Sequence, residues 1–181
     1  MAGTARIAML TGSFDPVTAG HVDLLRRAAG MFDIVYAAIM SNGEKDSAGS
    51  GAFTYEERLA ILNAACESLA DEGIRNVRPE ICAGLSSEYA AQRGITYIVR
   101  GVRNAADFDY EYGLAGIMKR FDAGLETVFL PADPVLSCVS STYVRELLKY
   151  GCPIGDAMPE RAAELAVDFY RRRIPLHTTK T

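Results

Sequence analysis

A chain of 181 residues, 49% hydrophobic and 23% charged, is long enough to bury a full core without disulfides or a structural metal. Its formal net charge of -4 argues against a broad basic face for DNA or RNA, so a cationic site must be built locally from a few Lys or Arg. The longest apolar runs fall well short of the roughly 20 residues a membrane helix needs, and no basic, apolar, small-residue pattern marks a leader at the start.

Five short runs rich in Val, Ile and Leu alternate with helical patterns. The first, Arg6–Thr11, leads into a helix near Thr18–Met31 with Leu24, Leu25 and Ala28 facing inward. The second, Ile34–Met40, is followed by the Gly/Ser-rich stretch SNGEKDSAGSGAF, expected as a loop. The helix beyond it opens on a capping box, Thr54 with Glu57, and stops at Gly73. The third strand, Val77–Ile81, feeds the short helix SSEYAAQRG, ended by Gly94. The fourth, Thr96–Arg100, feeds a helix over Asp107–Arg120, and the fifth, Glu126–Leu130, one starting at Ser140 or Ser141. Repeated strand–helix alternation predicts an α/β fold: a Rossmann-like, doubly wound sheet of about five parallel strands with helices on both faces. No repeat or boundary divides the chain, so residues 1–181 read as a single domain, its core over 6–172 and a frayed tail over 174–181.

The cysteines, Cys66, Cys82, Cys138 and Cys152, form no C-x-x-C pair and have no histidine at ligand spacing, which disfavours zinc. Scattered thiols suit a reducing compartment, so the cytoplasm is the expected location. Cys66 shares a helical stripe with Leu59, Leu62 and Leu69 and is expected in the core.

In doubly wound sheets, ligands bind outside the carboxyl ends of the strands. The unusual residues of this chain collect there. Strand one runs into Gly12, Ser13, Phe14, Asp15 and Pro16, then Thr18, Gly20 and His21. Strand two leads to Lys45, strand three to Ser86, strand four to Arg100, Gly101, Val102 and Arg103, and strand five to Ser140, Ser141 and Thr142. Glycines, hydroxyls and cations on one sheet edge outline a polyphosphate site. Gly12 would let the backbone pass close to a ligand, and Thr18 would cap a helix whose first turn, with Gly20 and His21, attracts anions. Neither G-x-x-x-x-G-K-[ST] nor G-x-G-x-x-G follows the first strand, which disfavours a P-loop kinase or a dehydrogenase. Structural readings stay open beside the functional ones. Lys45 could be a solvated loop charge, Arg100 and Arg103 could pair with Asp107, Asp109 or Glu111, and Ser140 with Ser141 could only cap a helix.

GSFDPVTAGH resembles the T/H-x-G-H signature of the nucleotidyltransferase superfamily, and CVSSTYVREL resembles its second signature, I-S-S-S/T. IVRGVRNAADFDYE and FDIVYAAIMSNGEK…FTYEER are similar to the phosphopantetheine adenylyltransferases of coenzyme A synthesis, in matching order from about Arg6 to Arg172. The resemblance implies transfer of the adenylyl group of ATP to 4′-phosphopantetheine, giving dephospho-coenzyme A and pyrophosphate. By the same resemblance His21 stabilises the transition state, and Ser13 touches both substrates. Phe14, Gly101, Val102, Arg103, Glu111 and the segment Leu136, Ser137, Cys138, Val139, Ser140, Ser141, Thr142 hold ATP. Lys45, Ser86 and Arg100 hold the acceptor. Leu136 and Cys138 stand where related enzymes often carry aromatic residues, and the loop after Lys45 is a few residues longer than the family pattern. Mg²⁺, a homohexamer, and coenzyme A as a feedback ligand are implied; a nucleic acid or membrane partner is not. Two alternatives remain at this point: an adenylyltransferase for another phosphate acceptor such as nicotinate mononucleotide, and a non-catalytic nucleotide sensor on the same fold.

Overall fold

The structure is a computed structural model that describes residues 5–41, 52–122 and 124–173. Its strands are β1 (Ile7–Gly12), β2 (Ile34–Ser41), β3 (Val77–Ala83), β4 (Tyr97–Val102) and β5 (Glu126–Pro131). All neighbouring pairs are parallel, in the order β3-β2-β1-β4-β5. Between them run α1 (Ala19–Ala29), α2 (Tyr55–Asp71), α3 (Ser86–Arg93) and α4 (Ala105–Phe121), followed after β5 by α5 (Ser141–Lys149) and α6 (Glu160–Arg173). The five strands lie within two residues of the spans that hydrophobic patterning predicts. The sixth helix lies outside that reading. Its buried face is small, Ala162 and Ala166, and such residues carry little signal of periodicity.

The period-two rule of a strand divides the core between the sheet's two faces. Ala8 and Leu10 of β1, with Val35, Ala37 and Ile39 of β2, join Val22, Leu25 and Ala28 of α1, Ile61 and Leu62 of α2, Val144 of α5 and Ala162 of α6. Met9, Tyr36 and Ala38 point the other way and join Cys82, Ile98 and the α3 residues Tyr89 and Ala90. Half-buried Cys66 packs against the first cluster, and burial pushes its thiol up to about 12.

Local chemistry sets the helix ends. Thr54 and Glu57 close the expected capping box on α2: Thr54 N–H donates to Glu57 Oε2 at 2.9 Å and Glu57 N–H to Thr54 Oγ1 at 3.3 Å. Gly94 ends α3 at φ 63°, a left-handed turn that glycine adopts without strain. Chain order reverses across the sheet between β1 and β4, so the connections leaving them diverge and open a crevice at their carboxyl ends.

Candidate active site

The crevice is a cavity of about 270 Å³, lined from four directions. β1 and α1 bring Thr11, Gly20, His21 and Leu24; β4 brings Arg100, Gly101 and, just beyond it, Arg103. Asp107 and Glu111 come from α4, and Asp133, Leu136, Val139, Ser140 and Ser141 from the segment joining β5 to α5. Two helix N-termini, α1 and α5, therefore open on the same space. The Ser141 hydroxyl stitches them together, donating to Pro16 O at 2.8 Å. Each N-terminus leaves backbone N–H groups without intrahelical acceptors, a setting that favours anions.

His21 occupies the third position of α1, and the preceding residues decide its proton. Thr18 N–H donates to His21 Nδ1 at 3.1 Å, and Thr18 Oγ1 lies 2.8 Å from the same nitrogen. Nδ1 is thus an acceptor, so the neutral ring carries its hydrogen on Nε2. Desolvation lowers the imidazole pKa from 6.5 to about 4, with a smaller push from the Arg103 charge. Near neutral pH His21 is a hydrogen-bond donor through Nε2 and not a cation.

The cations of β4 are held by carboxylates of α4. Arg100 Nε lies 2.8 Å from Glu111 Oε2, and Arg100 Nη1 donates to Thr11 Oγ1 at 2.8 Å. The Arg100–Glu111 contact is a charge pair without hydrogen-bond geometry, which leaves Glu111 Oε2 buried with no hydrogen-bond donor. Arg103 meets Asp107 through Nε and Nη2, both at 3.2 Å. That pairing holds the Asp107 carboxyl below its ordinary range, first through the Arg103 hydrogen bond. Asp133 is engaged as well, its Oδ1 accepting Val135 N–H at 2.8 Å. These carboxylates offer no dedicated metal cage, and no group of three or more His, Cys, Asp or Glu among the described residues could hold an ion.

Gly12 has a reason within the protein itself: a Cβ there would lie 3.3 Å from Cε2 of the Phe14 ring. One expectation needs correcting. Leu24 is not wholly inward. It is half-buried, touching the core on one side and lining the cavity on the other. It also explains Gly101, since a Cβ at that position would collide with Leu24 Cδ1.

Residues 9–147 match the cytidylyltransferase-like family model. A phosphopantetheine adenylyltransferase of Corynebacterium diphtheriae is 38% identical over 163 residues, covering 90% of this chain and 97% of the relative. One of Streptococcus suis is also 38% identical, covering 88% of this chain and 93% of its own. The chain belongs to the phosphopantetheine adenylyltransferases, within the cytidylyltransferase-like family. Among solved structures, a Vibrio parahaemolyticus protein provisionally described as a nicotinate-nucleotide adenylyltransferase superposes with a TM-score of 0.65 at 19% identity. That match covers 93% of this chain and 96% of the other, and it speaks to the Rossmann-like fold.

In this phosphopantetheine adenylyltransferase-family chain, the cavity gathers His21, Arg100, Gly101, Arg103, Glu111, Leu136, Val139, Ser140 and Ser141 from the residues singled out in the sequence. Ser86 lines a smaller hollow of about 30 Å³ that shares Thr11, Arg100 and Glu111 with the main one. Ser13 is exposed on the β1–α1 turn, and the Phe14 side chain turns into the core. Val102, Ser137, Cys138 and Thr142 do not line the cavity; the Ser137 hydroxyl donates to Pro134 O at 2.7 Å and Thr142 Oγ1 accepts from Arg145 at 2.9 Å. Lys45 lies outside the described residues. The structural readings of Arg100, Arg103 and Ser140 are seen directly: both arginines are paired, and Ser140 Oγ accepts Tyr143 N–H at 3.1 Å as the cap of α5.

Sequence reasoning gave Asp15 no partner and missed Arg58. Both are buried, and their ion pair spans 3.3 Å from Arg58 Nε to Asp15 Oδ1. The Asp15 carboxylate also accepts Ala52 N–H at 3.1 Å and Phe53 N–H at 3.0 Å, so it ties the β1–α1 turn to the start of α2. The GSFDP stretch shows an aspartate, but Arg58 sits inside an ordinary helical pattern, and nothing local marks it as buried.

Proposed function

We propose that this protein transfers the adenylyl group of ATP to 4′-phosphopantetheine, yielding dephospho-coenzyme A and pyrophosphate in coenzyme A synthesis. The observation that carries the reading is 38% identity to the phosphopantetheine adenylyltransferase of C. diphtheriae across 90% of the chain. A phosphate oxygen of the acceptor attacks the α-phosphorus, a new P–O bond forms, and the bond to the β-phosphate bridging oxygen breaks. The attacking group is already an anion, so the enzyme needs no general base; it must orient two polyanions and absorb charge at the reacting phosphorus. A neutral His21 with its hydrogen on Nε2 suits that task as a donor to an α-phosphate oxygen. The N-termini of α1 and α5, with Arg103, Ser140 and Ser141, would receive the β- and γ-phosphates. Gly101, Val102, Glu111 and the Leu136–Thr142 segment would border the nucleotide, with Ser13 and Phe14 at its phosphates. Arg100, Ser86 and Lys45 would take the acceptor.

Mg²⁺ would enter bound to the triphosphate and neutralise part of its charge, since the carboxylates at the crevice are already engaged by Arg100, Arg103 and a backbone N–H. We read the working form as a homohexamer in the cytoplasm, with coenzyme A as the expected feedback ligand. An unusually apolar exposed face on α4 supports assembly, and four free cysteines suit a reducing compartment. No described helix is long and apolar enough to cross a membrane.

The test is pyrophosphate release with ATP, Mg²⁺ and a panel of acceptors. Turnover is expected with 4′-phosphopantetheine, none with pantetheine, which lacks the nucleophile, and none above background with nicotinate mononucleotide. Brisk turnover with the mononucleotide would overturn the choice of acceptor.

A further inference from the structure

The β1–α1 turn hangs its carbonyls on side chains from remote parts of the chain. Arg58 Nη1 donates to Ser13 O at 3.4 Å across 45 residues. Arg145 Nη1 donates to Asp15 O at 2.7 Å, and Ser141 Oγ to Pro16 O at 2.8 Å. The first of these bears on chemistry, because Ser13 O shares a peptide plane with Phe14 N–H. A trans peptide sends its C=O and N–H to opposite sides, and the cis bond among the described residues is Asp15–Pro16, not this one. With Ser13 O drawn toward the buried Arg58, Phe14 N–H faces the other way, and no acceptor among the described residues meets it. Phe14 is itself held at φ 44°, a left-handed conformation that is strained for an aromatic residue, with its ring fully buried 5.0 Å from the His21 ring. A conformation of that kind persists only where its surroundings enforce it.

We propose that Arg58 is a positioning residue for adenylyl transfer: its guanidinium fixes the Ser13–Phe14 peptide so that Phe14 N–H is presented to the transferred phosphate, beside the His21 donor. The proposal rests on the adenylyltransferase reading above. A guanidinium suits the role because its donors are rigidly spaced. Nε addresses Phe53 O at 2.9 Å and Asp15 Oδ1 at 3.3 Å, which leaves Nη1 for Ser13 O. Asp15 neutralises the buried charge and is in turn held by the Ala52 and Phe53 amides. An ammonium in the same place keeps the charge pair but cannot span Phe53 O and Ser13 O together.

The test is Arg58→Lys, assayed beside the wild type with ATP and 4′-phosphopantetheine. We expect a cooperative melt, a kcat lower by about ten- to thirtyfold, and a KM for ATP within about threefold, the pattern of a lost transition-state donor. The Phe14 amide resonance is followed separately by NMR, with a non-hydrolysable ATP analogue added to each protein. It should move downfield in the wild type and much less in the variant. A wild type that makes no pyrophosphate refutes adenylyl transfer, and the amide titration still decides the role of the peptide. A wild type that turns over while Arg58→Lys keeps its kcat, or loses only affinity for ATP, refutes the positioning role alone. If the variant fails to fold, an unmoved Phe14 amide in the wild type refutes the proposal and a downfield shift supports it.

Discussion

His21 receives its protonation state from Thr18, three residues before it, and from the burial of its ring. Thr18 occupies Nδ1, and desolvation with the Arg103 charge brings the pKa down to about 4. Long-range ¹⁵N NMR should therefore find the ring neutral, with its hydrogen on Nε2, from neutral pH down to about pH 5; half-protonation near the ordinary 6.5 would contradict the geometry. Between 6.5 and about 4 the unfolded chain binds a proton that folded His21 refuses, so stability rises with pH across that window and falls on acidification. His21→Gln should flatten this part of the curve of melting temperature against pH. His21→Ala should cut kcat by about two to three orders of magnitude, the usual loss for a transition-state donor, and retention of a third of the activity would exclude that role. Arg100→Ala should weaken 4′-phosphopantetheine about ten- to a hundredfold, a charge-assisted contact worth roughly 1.5–3 kcal/mol, with little change for ATP. Arg103→Ala should show the opposite bias. Because Arg100 is the charge partner of Glu111, Arg100→Ala also strands a carboxylate near the acceptor, so adding Glu111→Gln should recover part of the loss. A double variant no better than the single would mean that Glu111 is neutral to binding.

Among the elements, α1 and β4 meet where Leu24 packs over Gly101. Leu24 lies where a side chain at Gly101 would be, so Gly101→Ala drives Leu24 off its seat and toward the cavity. Leu24 Cδ1 is the far end of a flexible, half-buried side chain, so the shift costs the fold little and is felt mainly in the cavity. Gly101→Ala should melt within a few degrees of wild type and raise the KM for ATP, and Gly101→Ala with Leu24→Ala should recover much of the affinity. If the single variant behaves like wild type, the crowding is relieved elsewhere. The far end of α6 meets the start of α2 in a comparable way, with Arg173 donating to Ala52 O and to Glu57. Capping boxes, glycine stops and strand periodicity were legible in the sequence because each is written within a few consecutive residues. The burial of Arg58 and the seat of Leu24 were not, since each depends on a partner dozens of positions away.

Over the whole molecule, α4 is the element left uncovered. It has no buried residue, and Tyr110 is 66%, Tyr112 65%, Ile117 52% and Phe121 66% exposed. Phe108 stacks on Tyr112 and meets Phe129 edge-on at 5.1 Å, so the helix is attached to the sheet on one side and presents aromatic surface on the other. Light scattering should report a mass several times that of one 181-residue chain. Replacing Ile117 and Phe121 together with Ser should lower it. A fully active monomer would remove the hexamer and leave the chemistry standing.

The sequence by itself determined the alternation of strands and helices, the edge of the sheet where the ligand groups gather, and the family signatures around His21 and Ser140. Those features follow from period-two and period-3.6 patterning and from short motifs, all of them local. Only the tertiary structure decided which charges are already spoken for: Arg100 by Glu111, Arg103 by Asp107, Arg58 by Asp15. It also decided that Gly12 yields space to the Phe14 ring and that Thr18 sets the tautomer of His21. The physical reason is common to these cases. An electrostatic or packing partner is chosen by distance in space, and a parallel sheet with crossover helices brings together residues that the linear order keeps far apart.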